Sequence, residues 1–131
     1  MSIKIFGTKE TLDSKRKRNL SDAIHSSMVE TLGLPSGKRA HRFINLEPED
    51  LFVPEGRSMN YVTLEIMLMT GRAPETKHKL IKTLFAKIKE SAGIDPNDLE
   101  IVIIESSHEN WGFRGMTGTE ALGKLAYKVN V

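Results

Sequence analysis

The chain has 131 residues, of which 39% are hydrophobic and 27% charged, a composition typical of one globular domain with its own core. The absence of cysteine excludes disulfides, thiolate metal sites and cysteine nucleophiles. The net charge of +2 suits small anions better than nucleic acid, and no apolar run approaches the roughly 20 residues of a membrane span, so we expect a cytoplasmic protein with neither nucleic-acid nor membrane partners.

The first predicted element is a strand at the N-terminus. Ser2, Ile3, Lys4 and Ile5 alternate between polar and apolar side chains, which is the period of a half-buried strand. Either this strand simply begins at the end of the chain, or the sheet serves to place the free α-amine. The segment "SKRKRN" at 14–19 is either a solvated helix face or a nucleic-acid patch, and its lack of interleaved aromatic residues favours the helix.

A helical pattern follows this basic cluster and recurs farther along the chain. A shift of 60 residues superimposes its apolar positions, so that Leu20, Ile24 and Met28 fall on Leu80, Leu84 and Ile88. Strand patterns flank both helices, at 2–6, 40–47, 61–70 and 99–106. The sequence predicts one α/β (α+β) domain over 1–131: a duplicated βαβ unit, at about 2–47 and 61–106, forms a four-stranded sheet with two helices on one face, followed by a tail at 107–131.

The second face of this sheet also carries apolar residues. Met67 and Met69 alternate with the helix-facing positions of the third strand, and Val102 and Ile104 are candidates for the same face on the fourth. Such a face needs a cover. Either a second copy of the chain provides it, or the tail 107–131 folds back over it and ends in a short strand, "YKVNV".

Arg72 is the first candidate for chemistry. It stands at the end of the third strand, just before Pro74, a residue that suits the first position of a helix. A helix N-terminus and a guanidinium at the carboxyl end of a parallel strand would converge on a carboxylate. The alternative is an ion pair between Arg72 and Glu75.

The tail supplies a second candidate, in the segment "HENWGFRGMTG". Trp111, Phe113 and Arg114 would form the wall and one cation of a small pocket, or the aromatic pair would simply pack in the core. Arg39 and Arg57 add cationic side chains at strand ends, although each alone also fits a surface role. The four histidines are too scattered for a recognisable metal site, so we predict no metal.

The order of these features resembles the tautomerase superfamily, and in particular the long-chain branch that includes malonate semialdehyde decarboxylase. The chain has "GLP" after the first helix, Arg72 before the second, "GIDPND" after it and "NWGFRG" in the tail. The resemblance implies a homotrimer whose sheets enclose a central barrel. It also implies cofactor-free chemistry in which an N-terminal proline moves a proton on a 2-oxo or unsaturated acid while arginines hold the carboxylate.

Ser2 stands where the resemblance places that proline. Removal of Met1 would leave a serine α-amine with a reference pKa of about 7.7–8.0, able to act as a base or, being primary, to form a Schiff base. Alternatively, the strand is retained and its amine is inert. Two other positions depart from the branch: its second arginine is Pro74 here, and its water-activating acid aligns with Lys38, which counts against hydration-dependent decarboxylation or dehalogenation.

We therefore predict an isomerase of the tautomerase type that acts on a small 2-oxo or enol carboxylic acid without a cofactor. The predicted catalytic residues are Ser2 and Arg72. The predicted substrate-binding residues are Arg39, Arg57, Trp111, Phe113 and Arg114. The alternative is a catalytically silent trimer of the same fold that binds a small anion or has a structural role.

Overall fold

The computed structural model describes residues 1–131. A four-stranded sheet carries two long helices, α1 (Ser14–Leu32) and α2 (Pro74–Ala92). The strands are β1 (Ser2–Thr8), β2 (His41–Leu46), β3 (Val62–Met69) and β4 (Leu99–Ser106), in the spatial order β2-β1-β3-β4. β1 pairs parallel with β2 and β3 parallel with β4, while β1 and β3 are antiparallel. The predicted fold class, a duplicated βαβ unit with a four-stranded sheet, is confirmed.

The two helices repeat each other closely. Each has 19 residues, and their boundaries differ by the 60 residues of the sequence repeat. Each ends at a glycine in the left-handed region, Gly33 at φ 68° and Gly93 at φ 67°, where a side chain would add strain. The basic cluster at 14–19 opens α1, as the helical interpretation predicted, and the Asp13 carboxylate caps it by accepting from the Arg16 N–H at 2.8 Å.

The core lies between the helices and one face of the sheet. The β3 side chains Val62, Leu64, Ile66 and Leu68 are fully buried there. The helix residues identified from the repeat pack against them, all of them fully buried: Leu20, Ile24, Met28, Leu80, Leu84 and Ile88. Burial of this alternate set confirms which face of β3 meets the helices.

The opposite face of the sheet is open. Val102 and Ile104 are 40% and 36% exposed, and register places them beside Glu65 and Met67 of β3. Half-buried Phe6 lies on the same face of β1, beside Thr63 of β3. The tail does not cover these residues, so the interpretation that 107–131 folds back over this face is wrong.

The tail instead crosses the carboxyl end of β3. After β4 the chain forms a hairpin, β5 (Gly112–Phe113) and β6 (Met116–Thr117), and a short helix, α3 (Gly118–Ala121). The predicted strand at 127–131 is wrong, because this segment pairs with no strand. Its Val131 carbonyl accepts from the Ala73 N–H at 2.8 Å, and it passes so close to Gly71 that a side chain there would collide with Val129 and Asn130.

Candidate active site

A cavity of about 610 Å³ lies at the edge of the sheet where β1 begins. Met1 and Ser2 form one side of it, the segment before β2 forms another, and the β5–β6 hairpin and Tyr127 of the tail complete it. Because β1 starts at this edge, the sheet holds the N-terminus in the cavity. Of the two alternatives for the first strand, the geometry therefore matches the one in which the sheet places the α-amine.

The N-terminal amine is strongly affected by this environment. Burial, with smaller contributions from the positive charges of Lys38 and Arg72, lowers the pKa of the Met1 amine from 8.0 to about 6. An amine with this pKa is mostly unprotonated at neutral pH. Since Met1 and Ser2 both line the cavity, the amine belongs to it before and after removal of Met1.

Four cationic side chains line the cavity, and no carboxylate does: Lys38, Arg39, Arg42 and Arg114. Arg42 Nη1 donates to the Ser2 hydroxyl at 2.9 Å, which fixes a guanidinium beside the first residue of the strand. Arg39 Nη1 donates to the Asp22 carboxylate at 2.8 Å and to the Ser21 hydroxyl at 3.1 Å, and these hydrogen bonds fix the position of the guanidinium. A small carboxylate is the complementary ligand for such a cavity.

Aromatic side chains form the opposite wall. The Trp111 indole N–H donates to the Ser106 carbonyl at 3.0 Å, which anchors the ring to the end of β4. The Lys38 ammonium lies 5.6 Å from the Phe113 ring centroid and 5.2 Å from that of Tyr127, within cation–π range. The sequence-predicted residues Ser2, Arg39, Trp111, Phe113 and Arg114 thus line one cavity.

Arg72 lies beside this cavity rather than in its wall. Its side chain is buried, its Nη1 donates to the Met69 carbonyl at 3.1 Å, and its Nε has no partner. The Tyr127 ring lies 6.0 Å from its Cζ. Burial lowers the pKa of the guanidinium, and the alternative ion pair with Glu75 is absent.

Arg57 lies at the other end of the sheet, in the connection before β3. It lines a separate cavity of about 320 Å³ with Tyr61 and Asn97. Within one protomer the structure therefore does not bring Arg57 together with the other predicted residues.

A buried histidine, His25, and a half-buried one, His41, lie behind the cationic wall. His41 Nδ1 lies 2.8 Å from the Ser21 hydroxyl, and His25 Nε2 lies 2.7 Å from the Ser36 carbonyl. Burial, with Arg39 and His25 as smaller contributions, lowers the pKa of His41 to about 4, so this imidazole is neutral at physiological pH. It contacts Ser21, which contacts Arg39, and it does not line the cavity.

Sequence reasoning did not predict Lys38, Arg42 or Tyr127 as site residues, although all three line the cavity. Arg42 and Lys38 lie close to the predicted Arg39 in sequence, whereas Tyr127 had no such signal. It lines the cavity and also contacts buried Arg72, but its sequence neighbourhood offered only a weak strand pattern. Its position depends on the path of the tail across β3, which has no local signal.

Comparison with known proteins agrees with this architecture. Two family models, both described as tautomerase enzyme, match residues 2–60 and residues 38–114, the second being more than half of the chain. A structure of malonate semialdehyde decarboxylase, with wild-type, mutant and inactivated forms, is 24% identical, with a TM-score of 0.84 over 96% of this chain and 100% of that one.

Two further structures show the same fold. The FG41 malonate semialdehyde decarboxylase inhibited by 3-bromopropiolate is 24% identical, with a TM-score of 0.85 over 98% of this chain and 100% of that one. A fused 4-OT described as a symmetric trimer is 19% identical, with a TM-score of 0.79 over 92% of this chain and 98% of that one. None of the helices combines the length and the apolar composition that crossing a membrane requires.

The sequence match, supported by the fold, establishes that this chain belongs to the tautomerase family.

Proposed function

We propose that this protein is a cofactor-independent isomerase that moves a proton on a small 2-oxo or enol carboxylic acid. The observation that carries the proposal is the position of the N-terminal residues in a cavity lined by four cations and no carboxylate, surroundings that lower the pKa of the Met1 amine to about 6. A base works best when its pKa lies near the operating pH, and fixed cations favour an anionic substrate.

Each group has a role in this reaction. The α-amine, on Ser2 once Met1 is removed, takes the proton from one carbon or oxygen of the substrate and returns it to another. Arg42, Arg39 and Arg114 hold the carboxylate, while Trp111 and Phe113 restrict water. A lower local dielectric strengthens both the ionic contacts and the depression of the amine pKa.

Arg72 contributes in a different way. Its charge helps to keep the amine unprotonated, and its unpartnered Nε–H can donate to a carboxylate oxygen when the Tyr127 ring moves aside. Arg57 would join a site only if it came from a neighbouring subunit, since it lies at the far end of its own protomer.

We further propose a homotrimer in which the open faces of three sheets meet. Val102 and Ile104 are exposed, and half-buried Met67 lies beside Ile104. Together they provide an apolar surface of the kind that a partner covers. The fused 4-OT relative, which has the same fold, is a symmetric trimer. Sedimentation velocity of the wild type and of a Val102→Glu variant tests this assembly, and a monomeric wild type would refute it.

The function is tested by two measurements on the same untagged preparation. The intact mass of the protein reports whether Met1 is removed, and an assay with enol substrates measures turnover. We expect loss of Met1 and enzyme-dependent ketonisation of the enols of phenylpyruvate and 2-hydroxymuconate. The Arg72→Ala variant should lose at least about tenfold in kcat/KM, the effect of about 1.4 kcal/mol in the barrier. The matched control is Arg18→Ala, which removes an exposed arginine of α1. Turnover no faster than buffer would refute the proposal.

One observation favours a second candidate, a silent trimer that binds a small anion. The tail covers Arg72 with Tyr127 and occupies the Ala73 N–H with its own carbonyl, as expected where that region is no longer used. A Ser2→Pro substitution separates the two. If the chain is an isomerase, the substitution changes a tautomerase rate that the wild type already has. If the chain is silent, the wild type has no such rate, and the variant either gains tautomerase activity or remains inactive.

A further inference from the structure

We propose that His41 is a positioning residue for substrate binding: its imidazole orients the Ser21 hydroxyl, and that hydroxyl fixes the Arg39 guanidinium at the wall of the cavity. This inference rests on the proposed function and deepens it. Arg39 lines the cavity, whereas Ser21 and His41 do not. The inference therefore assigns a role in carboxylate binding to two side chains that would not touch the substrate.

The Arg39 side chain needs an anchor because it is long and 40% exposed. Its Nη1 donates to the Asp22 carboxylate and to the Ser21 hydroxyl, and these are the hydrogen bonds that Arg39 makes within the protein. A guanidinium has five N–H groups, of which Nη1 carries two. The N–H groups of Nε and Nη2 therefore remain available to a carboxylate.

The two anchors of Arg39 differ in their exposure to solvent. The Asp22 side chain is 72% exposed, and an exposed ion pair is weak and screened by salt. Ser21 is half-buried on α1, against half-buried His41 of β2. The Ser21 hydroxyl is thus the sheltered anchor, and it defines the position of the guanidinium more strictly than Asp22 does.

The direction of each hydrogen bond follows from the chemistry of the donors. A guanidinium has no acceptor, so the Ser21 oxygen accepts from Arg39 Nη1, and its own proton is donated to His41 Nδ1, 2.8 Å away. The imidazole can accept it because burial lowers the pKa of His41 to about 4 and keeps the ring neutral. His41 thereby holds the Ser21 hydroxyl with a lone pair toward Arg39.

The imidazole of His41 is itself held in place from two sides. His41 is the first residue of β2 and pairs in register with Ile3 of β1. The ring of buried His25 lies edge-on to it, with 6.5 Å between the ring centroids, and His25 Nε2 donates to the Ser36 carbonyl at 2.7 Å. The sheet therefore determines where the acceptor of Ser21 lies, and through Ser21 where the guanidinium lies.

The experiment measures turnover of the phenylpyruvate enol and calorimetric binding of phenylacetate, a carboxylate without a ketone, on the untagged protein. His41→Leu and Ser21→Ala should each raise KM and the phenylacetate Kd about threefold to tenfold, the effect of one hydrogen bond, with little change in kcat. His41→Asn, whose amide oxygen can replace Nδ1 as the acceptor, should restore most of the loss. His41→Leu added to Arg39→Ala should change neither constant further. The matched control is His78→Leu, which removes an exposed histidine of α2 and should leave both constants unchanged.

A second measurement tests the hydrogen bonds without any ligand. Long-range ¹H–¹⁵N correlations of the histidine rings report which nitrogen carries the proton, and they also report whether each variant is folded. His41 should carry its proton on Nε2 and have an unprotonated Nδ1. A proton on Nδ1 would overturn the inference, because Nδ1 could not then accept from Ser21.

The outcomes separate this inference from the proposed function. Wild-type KM and phenylacetate affinity in both His41→Leu and Ser21→Ala overturn the positioning role and leave the isomerase intact. A loss that persists in the Arg39→Ala background also overturns it, because His41 would then act on the fold and not on Arg39. The expected changes in phenylacetate binding without enol turnover support the positioning role and refute the isomerase. A wild type that neither binds phenylacetate nor turns over the enol refutes both.

Discussion

The two βαβ units have the same scaffold but different N-terminal helix ends. Both helices have 19 residues and end in a left-handed glycine. The N-terminus of α1 is closed by its own Asp13 carboxylate, whereas α2 begins with no side-chain cap and its Ala73 N–H donates to the tail. The first unit provides the amine and most of the cationic wall, and the second provides buried Arg72.

This difference shows where a duplicated fold can diverge. The core positions of the two helices pack against the same sheet, so both helices carry apolar side chains at corresponding positions. Strand ends and helix starts are free of that constraint, and the candidate chemistry is concentrated there. The predictions below test this division between a shared core and divergent strand and helix ends.

The largest effect should come from the matched core pair. Ile24→Ala and Leu84→Ala remove side chains that are both fully buried and 60 residues apart, so each should cost about 2–5 kcal/mol of unfolding free energy. Urea denaturation measures both, with Lys82→Ala as the exposed control. Two separate unfolding transitions in either variant would contradict the shared core.

The second effect concerns the pH dependence of turnover. The amine acts in its neutral form, and the buried, cationic surroundings that lower the pKa of the Met1 amine also adjoin Ser2. The value of kcat/KM should therefore fall about tenfold per pH unit below a midpoint that lies under the usual amine pKa of about 8, and level off above it. Arg72→Ala should move the midpoint to higher pH, because loss of a nearby positive charge stabilises the ammonium. A midpoint near 8 in the wild type would mean that the cavity does not perturb the amine.

The third effect tests the two helix starts. Asp13→Ala removes the hydrogen bond to the Arg16 N–H and should lower the unfolding free energy by about 1 kcal/mol. Ala73→Ser introduces a capping hydroxyl where α2 has none and should raise it by about 0.5 kcal/mol. Thermal denaturation reports both signs. A loss of stability in Ala73→Ser would show that the tail already provides the better cap.

The smallest effect concerns Tyr127. Tyr127→Ala removes the ring beside Lys38 and Arg72 and should cost about 0.5–1 kcal/mol of stability. It should also lower KM for an enol carboxylate with little change in kcat, because Arg72 becomes accessible. Tyr127→Phe keeps the ring and is the matched control. An increase in KM for Tyr127→Ala would assign the ring to substrate binding instead.

Much of the fold was predictable because its signals are local. Helix and strand periods, the 60-residue repeat and the glycine that ends each helix are all readable without knowing any distant contact. The N-terminal residue Ser2, Arg39, Trp111, Phe113 and Arg114 were likewise found from strand ends, a glycine-rich tail segment and the family resemblance, and all line one cavity. That they bind substrate stays a prediction.

The sequence by itself thus determined a duplicated βαβ scaffold and a primary amine at the start of its first strand. Only the tertiary structure decided that Arg72 is buried beneath Tyr127, that Arg57 lies at the far end, and that the tail leaves the opposite face of the sheet open. The physical reason is the sequence separation over which the interactions act. Periodicity and helix caps involve residues a few positions apart. The course of an irregular tail instead depends on distant backbone donors, such as the Ala73 N–H, that remain unpaired after the sheet has formed.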